Sequence, residues 1–146
     1  MGNTLSNYCP AFLGVGVSAE EVGKLAGIDT GTAAKVLQVV SASVAYNDNA
    51  KELVALPAGA KIAAIYVDVT TAFNATSPTY KIGYATDDDA LASISSGLSS
   101  VGRVTALPPT ATVAQWNGFT GGTVIGTAGG TGGTAGAGIV KIVYWV

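Results

Sequence analysis

Histidine is absent from the 146 residues. Its absence removes Ser-His-Asp and Cys-His catalysis, imidazole-ligated zinc and the usual proton shuttle near neutral pH, and with them most hydrolase chemistry. Cysteine occurs once, as Cys9, so neither an intramolecular disulfide nor a cysteine-based metal site can form within the chain. Charge is scarce, at 11% of residues against roughly 25% in an average soluble protein, so Ser, Thr, Gly and Ala must cover much of the surface. Such a surface is poorly suited to a monomer. The net charge is −2, and Lys24, Lys35, Lys51, Lys61, Lys81, Arg103 and Lys141 are scattered singly. With no basic patch to grip phosphates, direct nucleic-acid binding is not expected. Apolar residues reach 49% but fall in short runs, none approaching the roughly 20 residues of a membrane span. No secretory signal or membrane anchor is expected. Met1 to Ser6 matches a myristoylation pattern, yet no polybasic segment follows, and an ordinary chain start is the preferred reading.

What is present reads as one domain with an appendage. Residues 1–34 are expected to form an arm with a short helix, and residues 35–146 a β-sandwich. From Met1 to Gly16 the isolated apolar residues Leu5, Tyr8, Phe12 and Leu13 follow no period, which suggests an extended arm that buries them on a neighbour or on its own sandwich. Ser18-Ala19-Glu20-Glu21 is a capping box, and Val22, Leu25 and Ala26 continue a helix that Gly27 ends. Strands are expected over Lys35 to Tyr46, Lys51 to Leu56, Lys61 to Thr71, Thr79 to Ala85, Val101 to Leu107, Thr110 to Trp116, Thr123 to Thr127 and Ile139 to Val146, with turns at Asn47-Asp48-Asn49 and Pro57-Ala58-Gly59. Thr86 to Asp89 is expected to cap a helical turn through Leu91 and Ile94. These strands, closely spaced turns and one or two short helices give an all-β class: an antiparallel sandwich or jelly roll with an N-terminal arm.

Ten of the twenty glycines lie between Gly118 and Gly138, and no charge occurs between Arg103 and Lys141. Gly126 to Thr134 reads as a long loop, either mobile or held by close approach to another backbone. Gly130 to Ala135 fits a loose dinucleotide pattern, but it leads into a strand rather than the helix whose N-terminus would face a pyrophosphate. Asp87, Asp88 and Asp89 offer hard oxygen ligands for calcium; a solvated acidic run explains them without an ion. Asp68 and Glu52 are a formal acid pair that no sequence feature brings together. No enzyme activity, metal or cofactor is expected.

Leu56 to Ile62 and on through Val69, Thr71-Ala72-Phe73-Asn74, Tyr80-Lys81-Ile82-Gly83 with Asp87 to Asp89, and Gly133 to Tyr144 together resemble the capsid decoration, or cement, proteins of tailed phages. The resemblance covers residues 50–146 and is closest to the jelly-roll cement proteins of short-tailed phages, such as that of a Bordetella phage. It implies a virion protein made in the host bacterial cytoplasm and carried on the outer capsid surface. There it would bind neighbouring major capsid protein subunits and resist DNA pressure, as a homodimer or homotrimer. Thr131 and Thr134 in the uncharged segment, and the arm residues Leu5, Tyr8, Phe12 and Leu13, are the candidate contacts. The rival is a head-fibre or tail adhesin, or a carbohydrate-binding sandwich in which Trp116, Tyr46 or Trp145 stacks on sugar.

Overall fold

Along the C-terminal segment, Val140, Ile142 and Tyr144 alternate with Ile139, Lys141 and Val143, the period that turns one side of a strand inward. In the computed structural model, which describes residues 36–106 and 113–146, this segment is one of the two inner strands of a four-stranded sheet. The strands are β1 (Gln38–Ala45), β2 (Lys51–Leu56), β3 (Lys61–Thr71), β4 (Thr76–Tyr84), β5 (Asp87–Ile94), β6 (Gly102–Ala106), β7 (Gly122–Thr131) and β8 (Ala137–Trp145). One helix, α1 (Val113–Asn117), separates β6 from β7. Two four-stranded sheets result, in the orders β1-β8-β3-β6 and β2-β7-β4-β5, with antiparallel pairing throughout. Consecutive strands mostly change sheets, which is jelly-roll connectivity.

Val44, Ile65, Val67, Val140 and Ile142 from the first sheet meet Tyr80, Ile82, Ile94 and Val124 from the second in one core. The strand that ends the chain is paired on both sides, by β1 and β3, as its apolar composition requires.

Three expectations are corrected. Asp87 to Ile94 is a strand, not a helical turn: Tyr84 pairs with Asp87 and Ile82 with Ala92, closing a hairpin on Ala85 and Thr86. The open side of β4 supplies backbone partners for this segment, which outweigh the helical spacing of Leu91 and Ile94. Thr110 to Trp116 is not a strand either. Its described part belongs to α1, where Trp116 is buried and its indole N–H donates to Leu91 O at 2.8 Å. Thirdly, the loop expected from Gly126 to Thr134 is shorter: β7 runs on to Thr131 between β2 and β4, and only residues 132–136 connect it to β8. The expected close approach does exist, made by side chains. A Cβ on Gly126 would collide with the Tyr80 ring and hydroxyl, and Gly136, at φ +148°, leaves no room for one beside Phe73. Residues 107–112 lie outside the described part. So do Leu5, Tyr8, Phe12 and Leu13, the Ser18 to Gly27 helix and the Met1 to Ser6 pattern.

Candidate functional site

Antiparallel register brings Asp68 on β3 opposite Arg103 on β6, and Tyr66 opposite Lys141 on β8. Asp68 accepts from Arg103 Nε at 2.7 Å and Nη2 at 3.1 Å, and lies 3.0 Å from Lys141 Nζ. The guanidinium sits 4.2 Å from the centroid of the Tyr66 ring. Hydrogen bonds from Arg103, then Lys141, hold the Asp68 carboxyl down to about 2. This carboxylate is already neutralised on the outer sheet face, and Glu52 stands on a strand of the other sheet, so the formal acid pair is not assembled.

On the second sheet, Lys81 Nζ lies 3.0 Å from Asp88 and 3.9 Å from Asp89. The carboxylate oxygens of Asp87, Asp88 and Asp89 come within 4.8 Å of one another. Lys81 on β4 reaches across the hairpin to Asp88 and Asp89, which lie where the register shifts between Ile82 and Tyr84, so a cation of the chain itself already faces the group.

A buried carboxylate ties the two sheets together. Asp48 Oδ2 accepts from Ala45 N on the β1 side and from the Tyr80 hydroxyl on β4, each at 2.7 Å, while Ala128 N of β7 donates to Asp48 O at 2.8 Å. Burial, reinforced by the Asp48 hydrogen bond and charge, pushes the Tyr80 phenol far above its ordinary range. Burial and the charge of Asp87 push Tyr84 up to about 12.

Both phenols therefore stay protonated in the fold and ionise near 10 when unfolded. Their contribution is whole below pH 10 and is lost as pH rises above it, by up to about 1.4 kcal/mol per pH unit for Tyr80. Urea midpoints should fall steadily from pH 10 to 12, with tyrosinate absorbance appearing together with unfolding, and Tyr80→Phe should flatten the fall. An unchanged slope in that variant would refute the assignment. Asp68 acts at the opposite end: its depressed value adds stability above about pH 4 that is lost toward pH 2, and salt weakens it because the pair is exposed.

The end of the sandwich next to β7 is held by one side chain. Asn74 Oδ1 accepts from Thr134 N at 2.8 Å and Ala135 N at 2.9 Å, its Nδ2 donates to Thr134 Oγ1 at 2.9 Å, and its own N–H donates to Ala135 O at 3.1 Å. Thr131 and Thr134 both lie exposed at this end. Two shallow surface hollows, of about 150 and 390 Å³, are lined by uncharged residues such as Ser93, Thr105, Thr120 and Thr123. Of the three candidate stacking aromatics, Trp116 is removed by burial, while Tyr46 is 39% exposed and Trp145 half-buried.

No family model and no curated protein matches the chain. Solved structures do. A chain from the acidic stable capsid structure of Helicobacter pylori bacteriophage KHP30 superimposes with a TM-score of 0.57 at 16% identity, covering 76% of this chain and 88% of that one. A chain of the cyanophage Pam1 capsid asymmetric unit gives 0.53 at 18% identity, with 77% and 86% covered. The fold is shared with chains of two phage capsids.

Within that jelly roll, sequence reasoning had singled out Thr131 and Thr134 and missed Asn74 as the clamp that orders them. It also missed Asp48, taken as a turn residue only. A turn aspartate beside a β-branched strand carries no local sign that its carboxylate will face a tyrosine 32 positions away.

Proposed function

We propose that this chain is a structural virion protein that binds the outer surface of a phage capsid and cements neighbouring major capsid protein subunits against the pressure of packaged DNA. The observation that carries the proposal is the likeness of the jelly roll to chains of two phage capsids along most of their own length. The narrower likeness to cement proteins of short-tailed phages, such as that of a Bordetella phage, belongs to the same reading.

The physical character of the chain supports it. An uncharged stretch from Val104 to Val140 suits repeated close contact, because a charge desolvated at every copy is costly. The charges that do sit on the described strands are largely neutralised in place, Asp68 by Arg103 and Lys141, and Asp88 by Lys81. In this reading residues 1–34 act as an arm whose Leu5, Tyr8, Phe12 and Leu13 add contacts on the capsid or a sister copy, the sandwich of residues 35–146 docks, and the protein self-associates. It is not an enzyme and needs no cofactor.

Full-length protein should co-sediment with purified heads that lack it, saturate at a fixed stoichiometry, and show no retention on immobilised glycans. Glycan binding without head binding would replace the proposal by the adhesin or carbohydrate-binding reading, in which Tyr46 and Trp145 are the remaining aromatics to test.

A further inference from the structure

A sheet edge exposes a row of unpaired N–H and C=O groups, and natural edges are blunted by shortness, charge, proline or a bulge. Three of the four edges among the described strands are blunted in this way. β6 is five residues long and carries Arg103; β2 carries Lys51 and Glu52 with a bulge between Glu52 and Val54; β5 begins with three aspartates and is bulged against β4. The fourth, β1, pairs with β8 in unbroken register from Gln38 to Ala45, and Val36 to Asn47 contains no charge, proline or glycine.

Its backbone polarity can be assigned. Tyr46 N donates to Gly136 O directly opposite at 2.9 Å, which turns the even-numbered residues of β1 toward β8 and the odd-numbered ones toward the open edge. The upper part of that edge is occupied internally. Ala45 N donates to Asp48 Oδ2, Ala45 O accepts from Asp48 N at 3.2 Å, and Ser43 O accepts from Lys51 Nζ at 2.8 Å. Among the described residues, the backbone groups of Leu37, Val39 and Ser41 have no partner on this side, and Leu37 and Val39 are 60% and 58% exposed.

We propose that two copies of this chain join edge to edge through β1, paired antiparallel about a two-fold axis at Val39, so that their β1-β8-β3-β6 sheets become continuous. A second copy fits because in this register, from Leu37 to Ser41, open groups meet open groups: Leu37 faces Ser41, Val39 faces Val39 and Ser41 faces Leu37. A register shifted toward Ser43 sets a carbonyl already bonded to Lys51 against Leu37. Around a two-fold each side chain near the axis meets its own kind, and the absence of charge removes the repulsion that would otherwise oppose the pairing. Val39 lies beside Val143 on the outer face, so the joint extends an apolar strip across both copies.

This names the surface of the self-association invoked above, and its test does not involve the capsid. Full-length protein should sediment as a dimer at micromolar concentration. In Val39→Pro the lost N–H is one that faces the edge, so β8 pairing is kept while dimerisation weakens by about 100-fold, as expected for losing symmetric hydrogen bonds at the axis. Val39→Lys leaves the backbone intact and sets like charges face to face; it should be a monomer with unchanged melting. Val40→Pro, which removes a bond to β8, should instead lower melting. A monomeric or trimeric wild type overturns the proposal, as does a folded Val39→Lys variant that remains a dimer. A dimeric wild type that fails to bind heads would remove the cementing reading and leave this one standing.

Discussion

Phage heads stripped of this protein should assemble with normal geometry yet release DNA at lower temperature, or under milder osmotic shock, than decorated heads. Under the proposed role each contact is modest, but a copy that bridges two capsid subunits makes its second contact at high effective concentration, and many copies share the load. Loss is therefore felt under stress rather than during assembly. Thr131→Asp is the sharper probe of the interface. Its side chain is exposed at the end of β7 and the change places a lone charge in an uncharged region; buried against a capsid without a partner, that charge should lower affinity by about tenfold or more. Thr134→Asp also removes the Oγ1 that accepts from Asn74, so it reports on the loop as well as the contact. Full occupancy with both substitutions would move the interface to the arm residues Leu5, Tyr8, Phe12 and Leu13 or to the Asp87 side. Equal heat resistance of stripped and decorated heads would favour the adhesin reading.

Asp48→Ala should be the most damaging single polar substitution in the sandwich, costing about 3 kcal/mol or more. The variant leaves the Tyr80 hydroxyl buried with no acceptor and frees Ala45 N, undoing a link between β1 of one sheet and β4 of the other. Against the roughly 5–15 kcal/mol of a typical domain, that is a large share. At about 4–8 °C per kcal/mol for a domain near this size, melting should fall by more than 10 °C. The sign of the coupling is the stricter check. Tyr80→Phe removes the stranded hydroxyl, so the double variant Asp48→Ala/Tyr80→Phe should be less destabilised than the sum of the singles by about 1 kcal/mol or more. Additive effects would mean that the hydroxyl finds another partner, and a loss below about 1 kcal/mol for Asp48→Ala alone would show that water replaces the carboxylate.

β2 and β3 were legible to the residue: Lys51 to Leu56 lies between the turns at Asn47-Asp48-Asn49 and Pro57-Ala58-Gly59, and Lys61 to Thr71 follows the second turn and is rich in β-branched residues. The segments that misled are those whose local chemistry has two solutions. Asp87 to Asp89 followed by Leu91 and Ile94 satisfies a helix start as well as a strand; Thr110 to Trp116 alternates like a strand, while its described part is helical. In β7 the strand was legible only over Thr123 to Thr127, and the glycines beyond hid its continuation to Thr131, because β propensity is carried by side chains that glycine lacks. They are tolerated there by pairing on both sides and by the room that Gly126 leaves for Tyr80.

Composition and period by themselves determined the all-β class, most of its strands, the paired position of the last strand and the exclusion of histidine-dependent chemistry and of a disulfide within the chain. These are properties of single segments or of the whole count of residue types, so no knowledge of partners is needed. Tertiary structure alone decided which strands are neighbours, and hence that Asp68 meets Arg103 and Lys141, that Asp48 meets Tyr80, and that Asn74 holds Thr134. It also decided that β1 lies at an edge while the equally apolar β8 lies at a centre. The physical reason is that a hydrogen bond or an ion pair depends on register between strands far apart in the chain, and a one-residue slip would turn every one of these side chains to the opposite face.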